Sequence, residues 1–485
     1  MKPVASPRPP DRPGAESGFR RHAPLLLLST LAGIVLLAGA AGRELHGTPT
    51  FYASLIRELV DSGDLLHIFR GPDAYLLKPP LLLWGGAVAS WVLGLGNFSV
   101  TLLPRLAAVA CVALTWLIVR RLANPRAGFF AGLVLLTNGT FIQFSTTLRM
   151  DSALLCGLLM VLAGWLSRPA AWAAPLFFGG ITVGLLAKGP LVLFALPLCG
   201  LWSLLEKQPR ALALDWRWSA LLLPALAWFG FVFWEHGAQQ LRDLSADLYR
   251  PDPNSSLSFW AGYYAEYIRR PALRFWPWLP FMLLGLALAG VGSRRIDPAG
   301  LRALRWFAAW TLLVFAMCAL KPDRDIRYLY IALPALAGLA AVPIAGWLGE
   351  RGFRLAVLAT GVLAVAVAVA AVLGVGTRDT RPQIDAMRAA LAAAGPSLGG
   401  RAPVVIGDYP LRPGMPRRQL SQRDWIHFYL GVVPRIVPWS RVKSGELAGE
   451  PLVFTIRAGD YSGELAAAGF VPRQVSKEMV MAVPK

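Results

Sequence analysis

The sequence predicts an α-helical polytopic membrane protein of about eleven spans followed by a small α/β tail. Three observations lead there. The 485 residues are 55% hydrophobic and only 16% charged, with a mean hydropathy of +0.51, which is more apolar surface than one soluble core uses. Apolar runs of bilayer-crossing length recur from residue 24 to residue 376. The basic residues mostly punctuate those runs instead of forming one patch, and such punctuation encodes orientation in a bilayer.

The formal charge of +20 would suggest nucleic acid in a soluble chain. Neither a basic helix nor an aromatic RNA-binding signature accompanies it, so no nucleic-acid partner is expected. Cys111, Cys156, Cys199 and Cys318 all lie inside apolar runs without paired spacing. They read as packing residues, not as a disulfide framework or a zinc site.

Residues 1–23, rich in Pro and Arg and ending near Arg20-Arg21-His22, read as a disordered cytoplasmic leader. The run Pro24 to Gly42 has span length and is not followed by a soluble domain, which favours a retained first span over a signal peptide. Further spans are expected at 103–119, 127–143, 152–167, 171–187, 190–205, 218–235, 275–292, 305–319, 328–348 and 354–376.

The segment Pro79 to Leu95 decides the orientation. If it crossed, every later basic loop would face outward. Read as an interfacial helix within a first external loop at 43–102, it leaves Arg120, Arg121, Arg126, Lys207, Arg210, Arg294, Arg295, Arg302, Arg351 and Arg354 in the cytoplasm with the leader. The N-terminus is then inside and the C-terminus outside. The 43–102 loop, the Arg149–Asp151 turn, Lys188, the 236–274 loop and the run Lys321 to Arg327 share the external face. Basic residues there run against the charge bias, and a bound anion explains them.

Residues 377–485 read as an external α/β domain, with a helix over 381–394 and strands at 404–406, 452–456 and 479–483. No catalytic motif is evident in it. The transmembrane part spans 24–376.

Motifs in the external loops carry a resemblance. Tyr52-Ala53, Arg57-Glu58-Leu59, Ser62-Gly63-Asp64 and Leu77-Lys78-Pro79-Pro80 follow one another at ungapped spacing. Arg149-Met150-Asp151, Ala187-Lys188-Gly189-Pro190 and the stretch from Lys321 to Arg327-Tyr328-Leu329 come after them in order. This set resembles the protein O-mannosyltransferase family and its bacterial relatives, including the lipid A aminoarabinose transferases: family 39-type glycosyltransferases of GT-C fold. The resemblance covers about residues 24–350 and excludes the tail.

It implies an integral membrane enzyme of the plasma (bacterial inner) membrane. Such an enzyme moves a sugar from a polyprenyl-phosphate donor to a lipid A-like or other envelope acceptor at the external, periplasmic face, by an inverting displacement. The family's acidic pair falls on Thr48 and Pro49, and the Glu before its Lys-Pro is Leu77 here. That Glu holds a metal in some relatives, so Leu77 puts a bound divalent ion in doubt, and no cofactor is firmly expected. Glu44 is the nearest upstream carboxylate and would reach the same place if the chain bulges before Thr48.

The chemistry requires fixed positive charge for the departing lipid phosphate and, for a hydroxyl acceptor, a carboxylate base. Lys78 is the leading phosphate candidate; its plainer reading is a lysine snorkelling from an interfacial helix, against which the helix start fixed by Pro79-Pro80 weighs. Lys321, Arg324 and Arg327, with Tyr328 beside them, form a second group or else a solvated loop. Lys188 contacts donor or simply marks a span end. Asp151 reads as a catalytic carboxylate, as an N-cap for the helix from Ser152, or as both, with Arg149 pairing with it or contacting phosphate. His46 and His67, lacking carboxylates at ligand spacing, read as polar surface residues.

Loss of the acidic pair harms transfer to an anionic phosphate less than transfer to a Ser or Thr hydroxyl, which favours a glycolipid acceptor over protein. The alternatives are a protein O-glycosyltransferase, a non-catalytic polyprenyl-phosphate-binding protein, and a lipid transporter. The sequence shows neither repeated halves nor the matched Gly/Pro-broken spans of many transporters.

Overall fold

The computed structural model describes residues 18–40, 45, 48–70, 73–75, 78–206, 214–237, 273–319 and 326–373, shorter stretches between 384 and 484, and a few isolated positions. Its helices are α1 (Gly18–Leu37), α2 (Thr48–Ser62), α3 (Leu81–Leu93), α4 (Asn97–Leu122), α5 (Pro125–Leu136), α6 (Gly139–Ser145), α7 (Asp151–Leu166), α8 (Ala173–Lys188), α9 (Ala195–Leu205), α10 (Leu223–His236), α11 (Leu279–Val291), α12 (Pro298–Ala319), α13 (Leu333–Trp347) and α14 (Glu350–Val372). Helical structure lies over each apolar run named above. Among the described residues, six helical runs are long and apolar enough to cross a membrane, or seven when α5 and α6 count as one. α1 starts at Gly18, so the last residues of the expected leader are already helical.

The run expected as one span at 127–143 is broken, with α5 and α6 meeting at 63°. Asn138 causes the break. Its side chain accepts the backbone N–H of Phe141 at 3.0 Å, capping a new helix just where the old one ends. Trp278 Nε1 donates to Thr137 Oγ1 at 3.0 Å and braces the corner.

The apolar run Ala173–Leu205 is long enough to pass for one helix, but it reverses at Gly189, whose φ of 72° suits a residue without Cβ. A Cβ on Gly184 would collide with Val192 beyond the reversal. Trp165 Nε1, at the end of α7, donates to Ser203 Oγ, at the end of α9, at 3.3 Å. α8 and α9 therefore run antiparallel, as the separate expected spans require. α7 and α8 pack closely through glycines: a Cβ on Gly157 would meet Gly180 O at 2.7 Å.

α3 has 13 residues, about 20 Å at helical rise, which is short of a hydrocarbon core of about 30 Å. It folds back on the first turns of α4. Ser90 Oγ donates to Ser99 Oγ at 3.1 Å, and a Cβ on Gly85 would strike Leu103.

The tail contains a five-stranded mixed sheet of β3 (Val404–Ile406), β4 (Arg435–Val437), β5 (Val453–Thr455), β6 (Phe470–Gln474) and β7 (Val480–Pro484), in the order β4-β3-β5-β7-β6. β3 runs parallel to β4 and β5, and β7 antiparallel to β5 and β6. A two-residue hairpin, β1 (Phe69–Arg70) with β2 (Asp73–Ala74), precedes α3. Strands lie at the three expected places, and β4 and β6 were not foreseen. Most of the helix expected at 381–394 lies outside the described residues. Helix α15 (Leu420–Leu430) joins α2 and α3 in an apolar cluster separate from the bundle core, built on Ile56, Leu82, Ile426 and Phe428.

Candidate functional site

The hairpin of α7 and α8 sets two charges side by side. Asp151 opens α7 and Lys188 closes α8, so each charge also faces the helix end that favours its sign. Lys188 Nζ lies 2.7 Å from Asp151 Oδ1, with side-chain exposures of 18% and 7%. The Tyr328 ring lies against the same ammonium, 5.2 Å from Nζ to centroid. Three motifs far apart in sequence thus meet at one point.

The turn carrying Arg149 is held from two directions. Tyr330, buried and stacked on Phe141 at 5.7 Å, places its hydroxyl 2.7 Å from Ser145 Oγ and 3.0 Å from Ser152 Oγ. Arg105, 1% exposed in α4, donates from Nε to Thr101 Oγ1 at 3.1 Å, from Nη2 to Thr146 O at 2.9 Å, and from Nη1 to Leu36 O. One guanidinium so ties the end of α1 to the turn before Asp151. The Arg149 guanidinium lies 5.4 Å from the Phe144 ring centroid.

Lys78 is half-buried just before α3. Leu81 and Trp84, in the first turn of α3, pack into the cluster of Leu186, Trp228 and Val232, which brings the start of α3 beside the end of α8. His67 joins the first loop to α10: Nδ1 lies 2.6 Å from Asp64 Oδ2 and Nε2 lies 3.3 Å from Glu235 Oε1. The hydrogen bond to Asp64 raises the His67 pKa above its ordinary value, and the reciprocal bond lowers that of Asp64.

Two expectations change. Asp151 is not an N-cap: Met150 occupies that position without a side-chain cap bond, and the carboxylate turns to Lys188 instead. A charge-assisted bond outweighs a bond to a neutral amide. Nor is Lys188 a bare cation awaiting an anion, because Asp151 already balances its charge. Glu44, His46, Leu77, Lys321 and Arg324 lie outside the described residues, as does the side chain of Arg327, whose backbone belongs to the 3-10 turn Ile326–Ala332. Among the described residues no three His, Cys, Asp or Glu side chains gather as a metal site. The four cysteines are buried and in thiol form.

Sequence reasoning missed Arg105, Tyr330 and the whole of α15. Arg105 had a signal, since an arginine inside the apolar window of α4 is a functional candidate by cost alone. Trp425, Ile426, Phe428 and Tyr429 fall at helical spacing and mark the buried face of α15.

Residues 77–234 match the family model described as dolichyl-phosphate-mannose-protein mannosyltransferase, a stretch that holds Lys78, Arg149, Asp151 and Lys188. The undecaprenyl phosphate-alpha-4-amino-4-deoxy-L-arabinose arabinosyl transferase of Pectobacterium atrosepticum is 28% identical over 368 residues, which are 67% of this chain and 60% of the relative. The enzyme of that name from Edwardsiella ictaluri is 25% identical over 333 residues, 62% of this chain and 56% of the relative. The chain therefore spans about 60% of the length of the curated relatives it matches. The crystal structure of ArnT from Cupriavidus metallidurans bound to undecaprenyl phosphate superposes with a TM-score of 0.66 at 18% identity, covering 95% of this chain and 98% of that one. The apo oligosaccharyltransferase of Archaeoglobus fulgidus gives 0.51 at 12% identity, covering 93% and 72%. The fold is that of these GT-C proteins, and the family resemblance seen in the external-loop motifs is the one the comparisons return.

Proposed function

We propose that this chain, with its GT-C fold and family 39-type motifs, is a membrane glycosyltransferase that moves a sugar from a polyprenyl-phosphate donor to a lipid A-like acceptor. The observation that carries the reading is the partly shielded Asp151–Lys188 pair against Tyr328. A charge pair this dry, at the meeting of three family motifs, has the character of a reaction site. The names of the relatives point to undecaprenyl phosphate as carrier and 4-amino-4-deoxy-arabinose as the first sugar to test.

In the reaction an acceptor oxygen attacks the anomeric carbon. The bond from that carbon to the donor phosphate oxygen breaks, and the polyprenyl phosphate leaves with the electron pair. Because Asp151 neutralises Lys188, the net positive charge that steadies the leaving phosphate comes from Lys78 and Arg149, with Lys321, Arg324 and Arg327 as further donors. Tyr328 holds Lys188 in place. A phosphate acceptor is already anionic and needs no base; a hydroxyl acceptor gives up its proton to Glu44 or Asp151.

The topology we propose has about eleven spans, the N-terminus inside, and the site and the tail domain of 377–485 on the periplasmic side of the inner membrane. The packing of α3 back on the first turns of α4 supports it, and so does the contact of His67 with Glu235 between segments that the charge bias sets on one face. Transfer by the purified protein, from an undecaprenyl-phosphate-linked aminoarabinose to lipid A, tests the function. Donor binding without turnover on any acceptor would favour the non-catalytic reading.

A further inference from the structure

A cavity of about 280 Å³ opens where the tail meets the first loop, a size close to that at which pockets take small ligands. Two guanidinium groups line it, Arg57 from α2 and Arg388 from the tail. Each is held at the last turn of α15: Arg57 Nη1 donates to Phe428 O at 2.9 Å and Arg388 Nη2 to Tyr429 O at 3.1 Å. Gly431, with a φ of 75°, passes so close that a Cβ there would meet Arg57 Nη2 at 2.6 Å. Capping those carbonyls uses one nitrogen of each fork. The other nitrogens remain, and Arg57 Nε is buried without a hydrogen-bond partner although Asp61 Oδ2 lies 3.3 Å away.

Much of the remaining lining favours the same anionic occupant. Gly96 and Asn97 open α4, whose amide end attracts anions. The Tyr429 hydroxyl donates to Asn97 Oδ1 at 2.9 Å, which leaves the carboxamide N–H groups as donors. Among the described lining residues Asp385 alone brings a negative charge; it lies 3.8 Å from Arg388 Nη1 and is 72% exposed, so solvent screens it. Two anchored guanidiniums against one screened carboxylate leave the cavity electropositive.

Its position selects the kind of anion that reaches it. The cavity sits past the end of α3, about 20 Å along that helix from its start beside α8, and so apart from the Asp151–Lys188 pair. Trp91, Val92 and Leu93 in the last turn of α3, and Phe98 in the first turn of α4, are exposed apolar side chains. They flank Gly96 and Asn97 as an apolar rim, and an exposed tryptophan beside polar groups is the pattern of the membrane–water interface.

We propose that this cavity binds the phosphate group of an anionic membrane lipid, with Arg57 and Arg388 as its ligands and the rim from Trp91 to Phe98 against the acyl boundary. A phosphate oxyanion suits planar guanidinium forks with donors to spare. Because one arginine belongs to the first loop and the other to the tail, a bound lipid clamps the two segments together and stabilises the docked tail by mass action. The site does not depend on the transfer reaction.

Native mass spectrometry of the delipidated full-length protein in detergent, titrated with phosphatidylglycerol, phosphatidylcholine and inorganic phosphate, tests this, with limited proteolysis of the tail as the folding control. The unmodified protein is expected to take up phosphatidylglycerol in preference to phosphatidylcholine, and that lipid to slow cleavage of the tail. Arg388→Gln is expected to weaken phosphatidylglycerol binding about 10-fold. Asp385→Asn removes the opposing charge, keeps both guanidiniums, and is expected to strengthen binding about 3-fold. Equal phosphatidylglycerol affinity in all three proteins overturns the proposal, and so does phosphatidylcholine that binds as tightly. Inorganic phosphate that protects the tail as well as the lipid does assigns the cavity to a soluble phosphate and overturns the lipid reading. If Arg388→Gln has a protease-sensitive tail without lipid, Asp385→Asn decides alone: tighter binding upholds the site and unchanged binding overturns it.

Discussion

Breaking the Asp151–Lys188 pair separates its structural part from its chemical part. Asp151→Asn keeps the shape but removes the negative charge, leaving an ammonium that is 18% exposed without its partner 2.7 Å away. Removing one member of a buried pair costs roughly 3–5 kcal/mol. Two features reduce the figure here: some solvent reaches Lys188, and the Tyr328 ring at 5.2 Å returns about 0.5–2 kcal/mol. A loss of about 3 kcal/mol is therefore expected from Asp151→Asn. Lys188→Gln removes the ammonium beside a carboxylate that is 7% exposed, so its loss is expected at about 3–4 kcal/mol.

The double variant Asp151→Asn/Lys188→Gln joins two neutral amides and recovers most of that stability, which corresponds to a coupling energy of about 5 kcal/mol. Reversible unfolding in mixed micelles gives the four stabilities, and single-turnover transfer gives the four rates. If the pair takes part in transfer, the double variant is stable yet slower by about 100-fold or more. A double variant that regains full turnover would make the pair a structural clamp. A coupling energy below about 0.5 kcal/mol would mean that the two charges are not paired at all.

Two other outcomes follow from the first loop and from the proposed orientation. Asp64 holds the protonated form of His67, so the link from the first loop to α10 is fully present below the unfolded imidazole value of about 6.5 and is lost as pH rises through the raised folded value. Asp64 contributes in the opposite sense, losing its part as pH falls through its lowered value. An imidazole NMR titration should move to lower pH in Asp64→Asn and by less in Glu235→Gln; an unmoved midpoint would refute the contact. Orientation is checked by labelling single cysteines in a cysteine-free background: Asp64→Cys should react from outside intact cells and Pro125→Cys only after permeabilisation. External labelling at Pro125 would invert the topology.

Much of this architecture was legible because bilayer physics writes it locally. A span needs an apolar run of fixed length, and the runs from Pro24 to the 354–376 segment are visible without knowing what packs on what. Loop charge sets the Arg149–Asp151 turn and Lys188 on one face, and the structure brings Asp151 and Lys188 into contact. What could not be read depends on partners far apart in sequence. The Asn138 cap breaks a run whose hydropathy is continuous, and the reversal at Gly189 hides in a run long enough for one helix. For Asp151 the partners visible in sequence are its own helix start and Arg149; Lys188, which it contacts, lies 37 residues on. The bonds of Arg105 to Leu36 and Thr146, and of Tyr429 to Leu45, cross segments whose spacing carries no periodic signal.

The central claim is transfer of a sugar from a polyprenyl-phosphate carrier. Its most direct measurement is mass spectrometry of a reconstituted reaction containing the full-length protein, undecaprenyl-phosphate-linked 4-amino-4-deoxy-arabinose and lipid A, with Asp151→Asn as control. The account predicts lipid A heavier by one sugar residue, undecaprenyl phosphate released in equal amount, and both products reduced in the control, where Lys188 has lost the carboxylate beside it. Donor that binds and stays intact with phosphate and hydroxyl acceptors alike would contradict it.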